Sequence, residues 1–245
     1  DTMIDYGLSF NNKFFFNKTS GAFRGGEITN KNWDSDSLGT NSFGYGYSVK
    51  AQGNSSVAFG LHSNARGNFS FAVGKHANAI GSNSFAVGDN AYALGLNSIA
   101  IGDRSTSVGE SSISLGDNND GLSDFSISAG GEDNDARGLH SATLGGEDND
   151  ANGDYSYAFG MNADANGDYS FALGKNVITN GDYSYSFGLE TEALNNYSTA
   201  FGVGTEASKD GAFIVGTFNV PDTNIIFGIG SGTSSANTEN ALYFI

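Results

Sequence analysis

The chain has no cysteine, so disulfides contribute nothing to its stability, an arrangement that a secreted protein of 245 residues tolerates. Basic residues are scarce: 11 Lys and Arg stand against 27 Asp and Glu, for a formal net charge of −16. Phosphate binding needs a Lys/Arg surface, so nucleic acid is excluded as a partner and an anionic membrane face is disfavoured. No run approaches the ~18 apolar residues of a membrane span, and no basic-then-apolar start reads as a signal peptide. Membrane insertion is therefore not expected. The first residue is Asp1, which reads as a processed form or a piece of something longer. Phosphate-loop and metalloprotease motifs are absent. Proline is nearly absent as well, with Pro221 alone, whereas glycine is abundant at 36 residues.

The glycines are periodic. In "GDYSYAFGMNADANGDYSFALGKNVITNGDYSYSFG", which spans Gly153 to Gly188, Gly-Asp-Tyr-Ser followed by an aromatic begins at Gly153, Gly167 and Gly181. Aligned on the Ser of Ser-x-Ala-x-Gly, the same constant step runs from Ser42 and Ser56 to Ser184 and Ser198, and Ala212 and Ile226 continue it. Glycine follows four positions later in each copy, from Gly46 to Gly230. Two steps, those ending at Ser141 and Ser156, are longer by a single residue. So short a fixed period implies a stacked architecture with one coil per copy.

Within a copy the alternation has period two, which argues strands. Ser, Ala and Gly of the first strand point one way. The large residues point the other: Val57, Phe59, Phe71, Val73, Phe85, Val87, Ile99, Ile101, Tyr157, Phe159, Phe171, Leu173, Phe187, Phe201, Phe213 and Val215. After the glycine, a second alternation sets small residues such as Ser63/Ala65 and Ala77/Ala79 between polar ones. Two strands and two corners in so short a repeat make a flat coil whose interior holds only small side chains. The large residues then face outward, uncovered, at roughly 1.5–3 kcal/mol for each one buried elsewhere. An obligate oligomer follows, because a soluble monomer tolerates only a few hundred Å² of apolar patch. Recurrent glycines and Asn-Gly or Gly-Asp steps are assigned to the corners, where positive φ is needed.

The pattern in "NFSFAVGKHANAIGSNSFAVGDNAYALG" resembles the head repeat of YadA-like trimeric autotransporter adhesins, over about residues 42–230. The resemblance implies a left-handed parallel β-roll, three chains around one axis, an extracellular location and attachment to a cell-surface glycan or protein. Handedness and the number three come from the resemblance alone. The chain departs from the family in carrying no heptad-repeat stalk and no C-terminal membrane-anchor barrel. "AFRGGEITNKNWDSDSLGTNSFGYG" and "IGSGTSSANTENALYFI" are similar to segments flanking such heads in phage tail fibres and related bacterial surface fibres. A bacterial cell surface and a virion tail fibre both remain open as locations. Residues 1–41, with Phe14, Phe15, Phe16, Phe23 and the single Trp33, are expected to cap one end; residues 231–245 are expected to close the other.

Three clusters are candidate sites. Asp120, Asp135, Asp150 and Asp164 share one column of the second strand, with Asp133 and Asp148 beside them in "GGEDNDARG" and "GGEDNDANG". Those two phrases accompany the two longer steps, so each adds a residue at one corner. Such a column is either a solvated acidic face or a Ca²⁺ site; no other cofactor is expected. Tyr155, Tyr169, Tyr183 and Tyr197 form a corner column with Asp154, Asp168 and Asp182 alongside. Exposed aromatics beside carboxylates suit sugar rings, although the same tyrosines would also pack over the coil edge. His62 and His76 share a register on adjacent coils and read as solvated corner residues, with a shared metal as the alternative. Ser and Asp are fixed by the repeat, so a Ser-His-Asp coincidence has no motif value and no enzyme is expected. An attachment head is the favoured function; a passive spacer is the alternative. An ice- or mineral-binding array would need a Thr-x-Thr ladder that the outer strand does not present.

Overall fold

The computed structural model describes residues 12–28, 33 and 37–245. Much of the segment 1–41 therefore lies outside the described residues. The chain is all β, with no α-helix among the described residues, and divides into two units, residues 1–124 and 125–245. Each unit is a parallel β-solenoid built from the coil the repeat implies.

In the first unit, Val57–Leu61 is followed by a corner, the short strand Asn64–Ala65, a second corner, and then Phe71–Lys75 one coil later. Successive coils pair parallel and in register: Val57 with Phe71, Ala58 with Ala72, Phe59 with Val73, and Asn64 with Asn78. Ser56, Ala58, Ser63 and Ala65 are fully buried, and the interior is a column of alanines and serines. Serine at the aligned position has a specific task. Ser56 Oγ donates to the Gly53 carbonyl at 2.7 Å, and Ser70 Oγ to the Gly67 carbonyl at 2.6 Å. Each hydroxyl thus adds a second donor to a corner carbonyl that the serine's own N–H already reaches at 3.3 Å.

The corners use glycine less than expected. The residue before each aligned Ser is left-handed whatever its type, as at Ser55, Phe69 and Asn83, and so is the other corner, as at His62, His76 and Asn90. Gly60 does have a positive φ, 121°, but a Cβ there would also lie 2.1 Å from the Gly74 carbonyl oxygen. At Gly67, where φ is not positive, a Cβ would meet the Gly81 oxygen at 1.9 Å. Close stacking of backbone on backbone, more than turn geometry, therefore favours glycine in these two columns, although Ser123 and Asn195 stand in the second.

The stack also reaches back before Ser42. Ala22–Glu27 pairs parallel with Phe43–Tyr47, and Asn12–Asn17 pairs antiparallel with Ala22–Glu27. Arg24 stands where later coils place alanine and is completely buried. Its guanidinium donates to the carbonyls of Phe23 (2.7 Å), Ser42 (3.2 Å) and Ala51 (2.6 Å) and to Ser42 Oγ (2.9 Å). Burial lowers its pKa to about 10. Trp33 is buried against the same end, its Nε1 donating to the Val49 carbonyl at 3.0 Å.

In the second unit the coils continue in the same pattern, with Tyr157–Ala165 paired in register to Phe171–Thr179. The unit ends with Phe227–Ser231, against which Asn240–Phe244 runs antiparallel. A register shift between Thr143 and Gly146 marks the extra residue of one longer step as a bulge within the first strand, ahead of the corner. The bulge accompanies a buried amide ladder. Asn149 Nδ2 donates to Asn134 Oδ1 (2.7 Å), to the Gly145 carbonyl (3.1 Å) and to the Gly160 carbonyl (3.0 Å). Asparagine is too large and too polar for an alanine column unless such partners are present.

Candidate functional site

Three surfaces emerge from the coil. The first is the apolar row on the outward face of the first strands. None of the large residues assigned outward is buried within the chain, from Val57 and Phe59 to Phe213 and Val215. Their ring contacts are with one another, in register between coils, diagonally as for Phe159 and Phe171, or along one strand as for Tyr157 and Phe159. Phe71 and Phe85 stack at 4.7 Å with planes 3° apart, and Phe213 and Phe227 at 6.0 Å. Phe59, Leu173 and Phe201 remain 46%, 43% and 53% exposed.

The second is the acidic column. Asp135, Asp150 and Asp164 are register partners in the second unit, and Asp120 occupies the equivalent place in the first, paired with Thr106. Asp133 and Asp148 lie at a left-handed corner. A residue with no part in the sequence-based assignment sits among them: Arg137 pairs with Asp135, with Asp150 at 2.6 Å, and with Asn152 Oδ1 at 3.1 Å. The column is thus partly neutralised by its own guanidinium. Burial, reinforced by Asp150 and Asp148 and opposed by Arg137, raises the Asp164 pKa. Among the described residues no three His, Cys, Asp or Glu side chains converge as a metal ion would require. Further along this face a groove brings Asp164 together with Glu190, Glu192 and Glu206 around Ile178, Phe218 and Pro221. His62 and His76 stack on each other at 5.3 Å, and Tyr47 meets His62 edge-on at 5.2 Å.

The third is the tyrosine column, which is longer than four residues. Phe125, His140, Tyr155, Tyr169, Tyr183 and Tyr197 form one ladder of rings with centroids 4.8–5.4 Å apart and planes within 20°. Phe125 and His140 carry the signal that would have found them: each immediately precedes an aligned Ser. Every ladder residue is left-handed, with φ between 56° and 61°. Bulky L-residues avoid that region, so each position costs on the order of 1 kcal/mol before stacking offsets it. Because the rings lie on one another, Tyr155, Tyr169 and Tyr183 show solvent their edges and hydroxyls, and their faces are covered. Partial burial, with Tyr183 and Tyr155 on either side and Asp168 and Asp154 nearby, raises the Tyr169 pKa, so the phenol stays protonated.

The neighbouring aspartates form a ladder of their own. Asp154 Oδ1 accepts from Leu139 N–H (2.8 Å), Asp168 Oδ1 from Asp154 N–H (2.9 Å) and Asp182 Oδ1 from Asp168 N–H (3.0 Å). Asn196 closes the series on Asp182 N–H at 2.9 Å. In the first unit Asn68 does the same for Asn54 at 3.0 Å. Either Asp or Asn suffices for this corner, so the carboxylate charge is surplus to the fold.

No helix among the described residues is long and apolar enough to cross a membrane, which leaves strand-built spans out of account. No curated protein matches the chain. The family model of the YadA head domain repeat matches residues 51–77, 79–105, 93–119, 151–176 and 180–213, together just over half of the sequence. The matched stretches fall in both units and take in the glycine columns, the alanine interior and the outward apolar row. The chain therefore belongs to the family of YadA head domain repeats, whose members build adhesin-type surface fibres.

Proposed function

We propose that this chain is the head of a non-enzymatic attachment fibre, working outside a cell or virion as a homotrimer that grips a surface glycan or protein receptor. The uncovered apolar row is the observation that supports it. A row of Phe, Tyr, Val, Ile and Leu along the first strands is poorly compatible with a lone soluble chain. Three copies of the same face closed around one axis, as in the trimeric adhesins the repeat resembles, bury it. Trimerisation also triples every weak receptor contact, so modest single-site affinities add up to firm attachment.

Light scattering on the purified chain is expected to give three times the 25.4 kDa chain mass at every soluble concentration. Phe171→Asp is expected to abolish that species, because three carboxylates would meet without partners in an apolar interior. A stable, folded monomer of the parent would overturn the assembly. Binding of the parent trimer to target cells separates an attachment head from a passive spacer.

A further inference from the structure

The aromatic ladder has a terminus, and there the geometry changes. Tyr155, Tyr169 and Tyr183 each have a ring on both faces, whereas Tyr197 has only Tyr183 at 5.4 Å. The next residue in the column is Gly211, and nothing lies within 4 Å of where its Cβ would be. One coil further the column holds Ile225, which is buried in the interior. Tyr197 therefore looks out over a notch roughly two rungs deep, about 9–10 Å at the ~4.8 Å strand spacing. It is 64% exposed, the most of the four tyrosines.

The notch has polar groups at its rim. Gly211 N–H donates to the Asn196 carbonyl at 2.9 Å, which fixes Asn196 beside it. The Asn196 Oδ1 is taken by Asp182 N–H, so its Nδ2 group is the available donor. Asp210, the exposed residue preceding Gly211, supplies an acceptor. A flat apolar ring face with one donor and one acceptor at its edge matches a pyranose, whose C–H face stacks on the ring while its hydroxyls bond outward. Asp182, Asp210 and the net charge of −16 disfavour carboxylated sugars, and the nearby cation, Lys209, has its ammonium engaged by the Asn224 carbonyl at 2.9 Å.

We infer that the open face of Tyr197 above Gly211 is a binding subsite for an uncharged pyranose, repeated once per chain. This rests on the attachment reading and narrows it to one ring of the ladder.

The test extends the ladder by one ring. Gly211 has φ 70°, close to the values at which Tyr is already accommodated, so Gly211→Tyr is expected to fold and to cover the Tyr197 face. Saturation-transfer NMR is run with the methyl pyranosides of glucose, galactose, mannose and N-acetylglucosamine, and with N-acetylneuraminic acid as the charged control. The parent is expected to transfer to at least one neutral pyranoside and not to the acid. Gly211→Tyr and Tyr197→Asn are each expected to lower that transfer at least tenfold, and Tyr169→Asn to leave it within twofold. Undiminished transfer in Gly211→Tyr, or none from the parent to any neutral pyranoside, overturns the subsite. Cell binding is measured on the same preparations. A parent that adheres without pyranoside transfer refutes the subsite alone, whereas a parent that does not adhere refutes the attachment reading beneath it.

Discussion

Asn83 and Asn97 in the first unit and Tyr169 and Tyr183 in the second occupy the same corner, with the same left-handed backbone and φ between 56° and 58°. The first pair is joined by an amide hydrogen bond, Asn83 Nδ2 to Asn97 Oδ1 at 3.1 Å; the second is joined by stacked rings 4.8 Å apart. Asparagine enters that backbone region readily and tyrosine does not. The coil accepts either, so the fold does not demand the aromatic ladder. What both units do share is the Gly and Ala/Ser scaffold, which gives way only where a buried polar residue finds partners, as Asn134 and Asn149 do in each other.

The largest expected effect is on that shared scaffold. Gly81→Ala in the first unit and Gly167→Ala in the second place a methyl 1.8 Å and 2.1 Å from a carbonyl oxygen of the next coil. Backbone cannot step aside at the end of a close-packed rung, so each is expected to cost about 3 kcal/mol or more. Urea unfolding of both variants checks this. Equal, large losses at the two sites would affirm a common scaffold; a mild effect at either would show that the coils of that unit separate more easily than their spacing implies.

A second experiment exchanges the corners. Asn83→Tyr alone should destabilise by about 1 kcal/mol, since a lone tyrosine takes on left-handed strain and forfeits the amide bond. Adding Asn97→Tyr should recover about 0.5–1.5 kcal/mol through stacking. The double-mutant cycle reads that coupling directly. No coupling would mean that the ladder in the second unit is a by-product of coil duplication, with no cohesive role.

The repeat reveals its scaffold so openly because so short a period leaves few choices. Ala58, Ala72 and Ala86, each fully buried, define the inward face from their spacing alone. Features that depend on a partner one coil away were harder to read. Arg24 stands in register with the alanines, but a guanidinium inside the coil is intelligible only once the carbonyls of Phe23, Ser42 and Ala51 are seen to surround it. Arg137 lies just after Asp135 in an acidic phrase, and its reach across to Asp150 is a matter of rotamer. Likewise the period places Tyr155 to Tyr197 in one column, but whether their rings present faces or edges depends on χ angles that no spacing encodes.

The smallest expected effect distinguishes the two units by charge. In the second unit burial, then Glu206, raises the pKa of Glu192, and burial, then Asp150 and Asp148, raises that of Asp164. The folded chain therefore holds these protons more tightly than the unfolded chain, whose carboxyls keep their ordinary values of 4.5 and 3.8. The stabilisation from protonation is complete below those ordinary values and is lost as pH rises through the elevated ones. Melting temperature should accordingly climb as pH is lowered from 7 toward 5, and Glu192→Gln with Asp164→Asn should flatten the climb. Each group is partly solvated, so screening holds its share to about 0.5 kcal/mol or less. Relief of the general negative charge acts in the same direction in both units, which is why the slope difference between parent and double variant, and not the slope itself, is the quantity to measure. An unchanged slope in the variant would assign the pH response to net charge alone and leave the two units electrostatically alike.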